Sequence, residues 1–182
     1  MTAACLALGQ GTVNFNNHTT AVSVPVFSVG GSTPVSGPEM VAALFFNGVQ
    51  QGAPAPFRTG NKAGYWDPGA DSTRIIEGVP GGQSATIEVR AWDSSRGATY
   101  DATVAAGGGY GKSDPFTVVL GGAGDPPTVP ADMIGFKSFE CAMTVPEPAT
   151  CAIFLAGAAG TAGWPRRKKA VHAADSTACP KG

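Results

Sequence analysis

The sequence predicts an all-β protein, an antiparallel β-sandwich of jelly-roll-like form, followed by a single C-terminal hydrophobic helix. Of 182 residues, 26 are Gly and 15 are Pro, so regular helix is opposed at short intervals and a helical bundle is excluded. From Gly11 to about Cys141, short apolar segments alternate with Gly, Pro, Asn and Asp, the pattern of strands joined by turns. The hydrophobic share of 43% is ordinary while charged residues make up only 14%, so the chain can bury a core and wholesale disorder is excluded.

The clearest strand is residues 85–92, after a turn at Pro80-Gly81-Gly82. Successive side chains alternate across a strand, so Ala85, Ile87, Val89 and Ala91 face a core while Thr86, Glu88, Arg90 and Trp92 face water. Residues 12–16 repeat the pattern with Val13 and Phe15 inward, and residues 116–120 and 133–139 are further strands, with Gly121-Gly122 closing a turn. Residues 38–47 fit a short helix with Pro38 at its first position and Gly48 as its cap, but the bulky run Leu44-Phe45-Phe46 better suits a strand covered on both faces.

Charge is unevenly placed. The net charge is -1, yet residues 10–147 carry seven Lys/Arg against twelve Asp/Glu, and Arg166, Arg167, Lys168 and Lys169 supply four of the twelve basic residues. The central domain is therefore mildly acidic and lacks the basic face that nucleic acid requires, so no nucleic-acid partner is expected.

Residues 3–8 are small and apolar, and Ala7-Leu8-Gly9 has the small-x-small form of a cleavage site, as at the end of a secretory signal whose basic start would lie upstream of Met1. Near the other end, Pro146 and Pro148 flank Glu147 after Val145, denying helix to that segment and keeping it extended and accessible. An uncharged run over residues 149–164 follows, containing Ile153, Phe154, Leu155 and Trp164, and then the cluster Arg166, Arg167, Lys168, Lys169. In lipid the apolar run forms a helix, because backbone groups there must pair internally, and the cations hold its end at the cytoplasmic face. At ~1.5 Å per residue the run reaches about 24 Å of a hydrocarbon core of about 30 Å, which suits brief residence better than a permanent anchor.

This order of extended motif, apolar run and cationic stop resembles the PEP-CTERM sorting signal of Gram-negative bacteria, with the family's Pro-Glu-Pro at Pro146, Glu147 and Pro148. The resemblance implies recognition by exosortase, a transpeptidase-like membrane enzyme that cuts near the motif and releases the protein to the cell surface or matrix. The family's chains normally stop at the basic residues, whereas this one runs on to Gly182. A wider likeness rests on Gly11-Thr12-Val13-Asn14-Phe15-Asn16-Asn17, on Val89-Arg90-Ala91-Trp92-Asp93 with Tyr100-Asp101, and on Met133-Ile134-Gly135-Phe136. Together these are similar to a group of PEP-CTERM proteins of environmental bacteria such as the Verrucomicrobia, which implies an exported location and a sandwich without a reaction. The expected organisation is a signal remnant at 1–10, the sandwich at 11–141, the sorting signal at 142–169 and an atypical disordered tail at 170–182.

No catalytic set is expected, and no cofactor. Ala106-Gly107-Gly108-Gly109-Tyr110-Gly111-Lys112-Ser113 fits a permissive phosphate-loop pattern, but Asp114-Pro115 and a strand follow where such a loop needs a helix. His18 and His172 are the only histidines, and Cys5, Cys141, Cys151 and Cys179 fall in different segments, so neither a histidine-based zinc site nor a disulfide framework is expected. Asp67, Asp71, Asp93 and Asp101 lack the spacing of a calcium loop. Glu77, Glu88 and Asp93 offer the paired carboxylates of a glycosidase only as any acidic domain does. Among the aromatic residues, Trp66 and Trp92 are the candidates for contact with an exopolysaccharide, which would make the domain a polysaccharide-binding module of the matrix.

Overall fold

The structure is a computed structural model and describes residues 9–122, 126 and 128–142. The chain divides into two units, Met1–Thr144 and Val145–Gly182, and every described residue belongs to the first. That unit is mostly β. Its strands are β1 (Gln10–Asn14), β2 (Phe27–Ser28), β3 (Met40–Phe46), β4 (Val49–Pro56), β5 (Thr73–Pro80), β6 (Ser84–Asp93), β7 (Tyr110–Lys112), β8 (Phe116–Val119), β9 (Ala131–Asp132) and β10 (Glu140–Cys141), with one short helix, α1 (Tyr100–Ala105). Among the described residues no helix is long and apolar enough to cross a membrane.

The largest sheet has the order β4-β3-β6-β7. β3 and β6 pair antiparallel in unbroken register from Met40–Asp93 to Phe46–Ile87. β6 is long enough that its far edge serves two strands in turn, β8 along Ser84 to Ile87 and β7 along Arg90 to Trp92. The join between them contains Pro115, which has no amide to donate. Ser113 bridges the gap instead: its amide donates to the Val89 carbonyl at 2.9 Å, and its buried hydroxyl accepts from the Val89 amide at 3.0 Å. A second sheet runs β5-β1-β9 and a third pairs β10 with β2. Past β8 the chain stays extended, and Gly121 exchanges two 3.0 Å backbone hydrogen bonds with Thr12 of β1. Gly121 thus extends a strand into the neighbouring sheet, and Gly122, at φ +86, starts the expected turn, its amide donating to the Thr128 carbonyl at 3.1 Å; a Cβ at Gly121 would collide with the Val129 carbonyl.

The main hydrophobic cluster takes side chains from β1 (Val13), β3 (Ala42, Leu44), β5 (Ile76), β6 (Ile87, Val89) and β8 (Phe116, Val118). β3 is a strand covered on both faces, as its bulky run predicts, because Val41, Ala43 and Phe45 form a second cluster with Trp92 on its other side. The inward set of β6 is as expected. Of its outward set only Thr86 is wet: Trp92 is fully buried and the side chains of Arg90 and Glu88 are only 17% and 18% exposed. The connection from β6 to β7 explains this, since it carries α1 and Tyr100 packs against the second cluster.

Residues 133–139 are not a strand either. Gly135 takes φ +96, and the Phe136 amide donates back to the Met133 carbonyl at 3.1 Å, a turn that splits the segment between β9 and β10. Met133, Phe136 and Phe139 are nonetheless buried, at a spacing of three rather than two.

Trp66 lies at the centre of the main cluster. Its ring stacks on Phe15 at 4.9 Å and stands edge-on to Phe57 and Phe136 at 6.0 and 5.7 Å. Trp66→Ala is expected to cost about 3–5 kcal/mol and lower the melting temperature by roughly 10 °C or more, read by circular dichroism of the folded chain.

Candidate functional site

The residues singled out in the sequence fall into two groups. Val145, Pro146, Glu147, Pro148, Ile153, Phe154, Leu155, Trp164, Arg166, Arg167, Lys168 and Lys169 lie outside the described residues, as does the C-terminal hydrophobic helix. Trp66 and Trp92 are described, and both have no exposed surface. Trp66 donates its Nε1–H to the Phe15 carbonyl at 3.1 Å, deep in the core. Trp92 points outward from its sheet as alternation predicts, but lies edge-on to Tyr100 at 6.3 Å, and its Nε1–H has no partner. A sugar needs an open ring face, and neither indole offers one, so polysaccharide contact at Trp66 and Trp92 is corrected.

The acidic residues serve their own turns. Asp67 accepts from the Gly69 amide at 3.1 Å and from Arg58 at 3.4 Å, and the turn hydrogen bond, with Arg58 assisting, holds its carboxyl below the usual range. Asp71 accepts from the Thr73 amide at 3.2 Å, and Asp93 from the amide and hydroxyl of Ser95 at 3.0 and 2.6 Å. Glu88 is ion-paired with Arg90. Glu88 and Asp93, an odd number of residues apart on β6, leave the strand on opposite faces, which is not how two carboxylates flank one sugar bond. Among the described residues there is no group of three or more His, Cys, Asp or Glu side chains that could hold a metal ion. The glycine-rich segment joins α1 to β7, Gly108 packs against Thr103 and Arg96, and β8 follows where a phosphate site requires a helix.

A cleft of about 560 Å³ lies elsewhere, between β4 and β5. β4 and β5 are end strands of different sheets. They are tied by two side chains: Gln51 of β4 accepts from the Glu77 amide at 3.3 Å, and Arg74 of β5 donates to the Ala53 carbonyl at 3.0 Å. The recess exists because β4 bulges. Ala42 pairs with Ala55 and Leu44 with Gln51, so one residue of β3 faces three of β4, and Gly52, Ala53 and Pro54 leave the ladder.

Arg74 forms the floor of this cleft and is buried, with 6% of its surface exposed. Nη1 donates to the carbonyls of Asp71 and Thr73 at 2.8 and 3.1 Å, and the guanidinium lies 5.3 Å from the Phe15 ring centre. Its Nε–H has no partner, and among the described residues no carboxylate pairs with it. Burial pushes its pKa down, with the charge of Asp71 acting in the other direction. The signals in the sequence were a glycine and a proline interrupting a strand, which mark a bulge, and an arginine at an inward position beside Ile75-Ile76. Neither names a site without knowing which strand edges meet.

No family model, no curated protein and no solved structure matches the chain.

Two outcomes follow from this geometry. Gly52 has φ +76, and a Cβ there would lie 2.8 Å from Arg74 Nε. Gly52→Ala is therefore expected to destabilise the fold by about 1–3 kcal/mol, measured by urea unfolding. Cys141 is fully buried, and burial pushes its thiol up to about 12. A thiol whose folded pKa exceeds its unfolded value of roughly 8.5 favours folding below that pH and loses this contribution as pH rises toward the folded value. Peptide-resolved alkylation at pH 8 is expected to spare Cys141 in the folded chain and to label it once urea unfolds the domain.

Proposed function

We propose that this chain is a non-catalytic exported protein, a jelly-roll-like β-sandwich carried to the cell envelope, surface or extracellular matrix by a processed C-terminal signal of the PEP-CTERM kind. The observation that carries the reading is the order of three features in the sequence near one end: Val145-Pro146-Glu147-Pro148, an uncharged run of sixteen residues, and Arg166, Arg167, Lys168 and Lys169. The first unit of the chain ends at Thr144, one residue before that motif, which supports a cut that frees a self-contained cargo. A core shared by strands of the β5-β1-β9 and β4-β3-β6-β7 sheets supports the sandwich, and the crossing of the chain from β8 to β1 at Gly121 supports the jelly-roll form.

The mechanism is trafficking. Pro146 and Pro148 hold the backbone extended for an exosortase-type membrane enzyme, with Glu147 as the charge it reads between them. The apolar run, with Ile153, Phe154, Leu155 and Trp164, places the motif at the lipid boundary, and the four cations fix the cytoplasmic end. The membrane is a transient partner.

Intact-mass measurement of the chain released by an exosortase-bearing host tests this. The expected product ends near Pro146, Glu147 and Pro148, and Glu147→Ala leaves the full-length chain in the membrane fraction. A released product that retains residues beyond Trp164 overturns the reading.

A further inference from the structure

We propose that the cleft between β4 and β5 binds a uronate, a sugar acid whose carboxylate meets Arg74 and whose hydroxyls meet the polar groups around it. This concerns what the cargo domain holds, and it goes beyond the export reading without depending on it.

The charge comes first. A guanidinium taken out of water is costly unless it is both hydrogen-bonded and paired with an anion. Arg74 has the hydrogen bonds, and the charge of Asp71 acts on it, but among the described residues no carboxylate lies within ion-pair distance. Nη1 uses both its hydrogens on the carbonyls of Asp71 and Thr73, and Nη2 donates to Ala53. What remains is the Nε–H and the second Nη2 hydrogen. Neighbouring N–H groups of a guanidinium grip a carboxylate in two-point fashion. The three carbonyls fix the plane of the guanidinium and so the direction of the remaining donors.

The backbone is shaped to the same end. Gly52 passes against the Nε side of the arginine, where any side chain would collide with it. Gly52 covers Nε, so in this proposal the bulge, which lies outside the β3–β4 ladder, must move outward for a carboxylate to reach it. The cleft volume of about 560 Å³ lies within the roughly 300–1,000 Å³ usual for small-molecule sites.

The walls select the rest of the ligand. Asp71 and Glu77 line the cleft and accept hydrogen bonds from hydroxyls, while the amide side chains of Gln50 and Gln51 add donors and acceptors. Val49 and Ile75, both largely exposed, present apolar surface to the C–H face of a sugar ring. The two carboxylates repel a dense anion such as a polyphosphate. No aromatic residue lines the cleft, so a nucleobase or a stacked neutral sugar finds no platform. One cation amid hydroxyl acceptors matches one carboxylate on a hydroxylated ring. That chemistry is shared by a free sugar acid and by a uronate residue within a matrix polysaccharide.

Titration of the full chain with D-glucuronate, followed by NMR, tests the proposal. Saturable shifts are expected at the Gln51 side-chain amide and the Ala53 and Thr73 amides, with D-glucose and acetate at least about tenfold weaker because each lacks half of the recognised chemistry. A uronate tetramer binding at least about tenfold more tightly than the monomer identifies the chain-borne residue as the ligand, and equal affinity identifies the free sugar acid. Arg74→Gln is expected to abolish binding. Because that variant loses three backbone contacts and can unfold, Ile75 supplies a second test at a half-exposed position on the cleft. Ile75→Glu is expected to weaken glucuronate binding and Ile75→Lys to strengthen it, each by about fivefold, with unchanged melting temperatures. Absence of saturable shifts, equal response to glucose and glucuronate, or indifference to both Ile75 substitutions overturns the proposal.

Discussion

The fold depends on one buried amide. Asn17 has no exposed surface, and its side chain meets three backbone groups: Nδ2 donates to the carbonyls of Val24 and Gly64 at 2.8 and 3.0 Å, and Oδ1 accepts from the Trp66 amide at 3.2 Å. These groups belong to stretches without long strands of their own, and the Val24 carbonyl and Trp66 amide have no other partner. Each would cost about 1–3 kcal/mol if buried without a partner. Asn17 therefore fixes where the segment after β1, the loop through Val24 and the segment ending at Trp66 meet. The Trp66 indole, anchored to the Phe15 carbonyl, is then held where Phe15, Phe57 and Phe136 close around it. An apolar residue of similar size at position 17 would fill the volume and leave the Val24 carbonyl and the Trp66 amide unmatched, while the Gly64 carbonyl would keep only the Val26 amide at 2.9 Å.

The opposite side of the central sheet is organised by a cation. Arg90 projects outward from β6 with its guanidinium 4.2 Å from the ring centre of Phe45 and 5.1 Å from that of Tyr100, while Glu88 on the same face accepts from its Nε at 2.6 Å. A charge with its stem along apolar surface and its head between two rings can be mostly covered without an unpaired end. Tyr100 is delivered by α1, whose first turn is capped by the Thr99 hydroxyl accepting from the Ala102 amide at 3.2 Å. Burial pushes the Tyr100 hydroxyl pKa up, which keeps the ring neutral beside Glu88. The ion pair, the two rings and the helix form one arrangement, and it turns a face that alternation marks as wet into a second small core.

That arrangement shows where sequence reasoning holds and where it stops. β1, β3, β6 and β8 were legible because each buries a continuous or alternating set of bulky residues, a signal that survives without knowing its neighbours. α1 was not legible: six residues do not complete two helical turns, and glycines begin within a few residues of either end, at Gly97 and Gly107. Trp92 was placed on the correct face and given the wrong surroundings, since the cover comes from a different segment. Met133, Phe136 and Phe139 looked like strand residues because bulk was read without its period. The cleft was invisible for a stronger reason. Arg74 and Gln51 lie on strands of different sheets, and nothing in either segment states that their edges face each other.

That pair of edges is also the part of the domain most in need of explanation. Unpaired strand edges invite other chains, and folded proteins blunt them with bulges, prolines and inward charges. β4 has all three features near one spot: Gly52 at positive φ, Pro54 and Pro56 without amide donors, and Arg74 directed across from β5 to the Ala53 carbonyl. A further strand cannot pair along Gly52, Ala53 and Pro54, because the backbone has left the ladder and one of its carbonyls is already engaged. Closing the gap by direct β4–β5 pairing is blocked for the same reason, so the two sheets are stitched by side chains and the recess between them persists. A protective edge needs only the prolines and the bulge. Arg74 adds the inward charge, and its desolvation is offset by the three carbonyls that it engages.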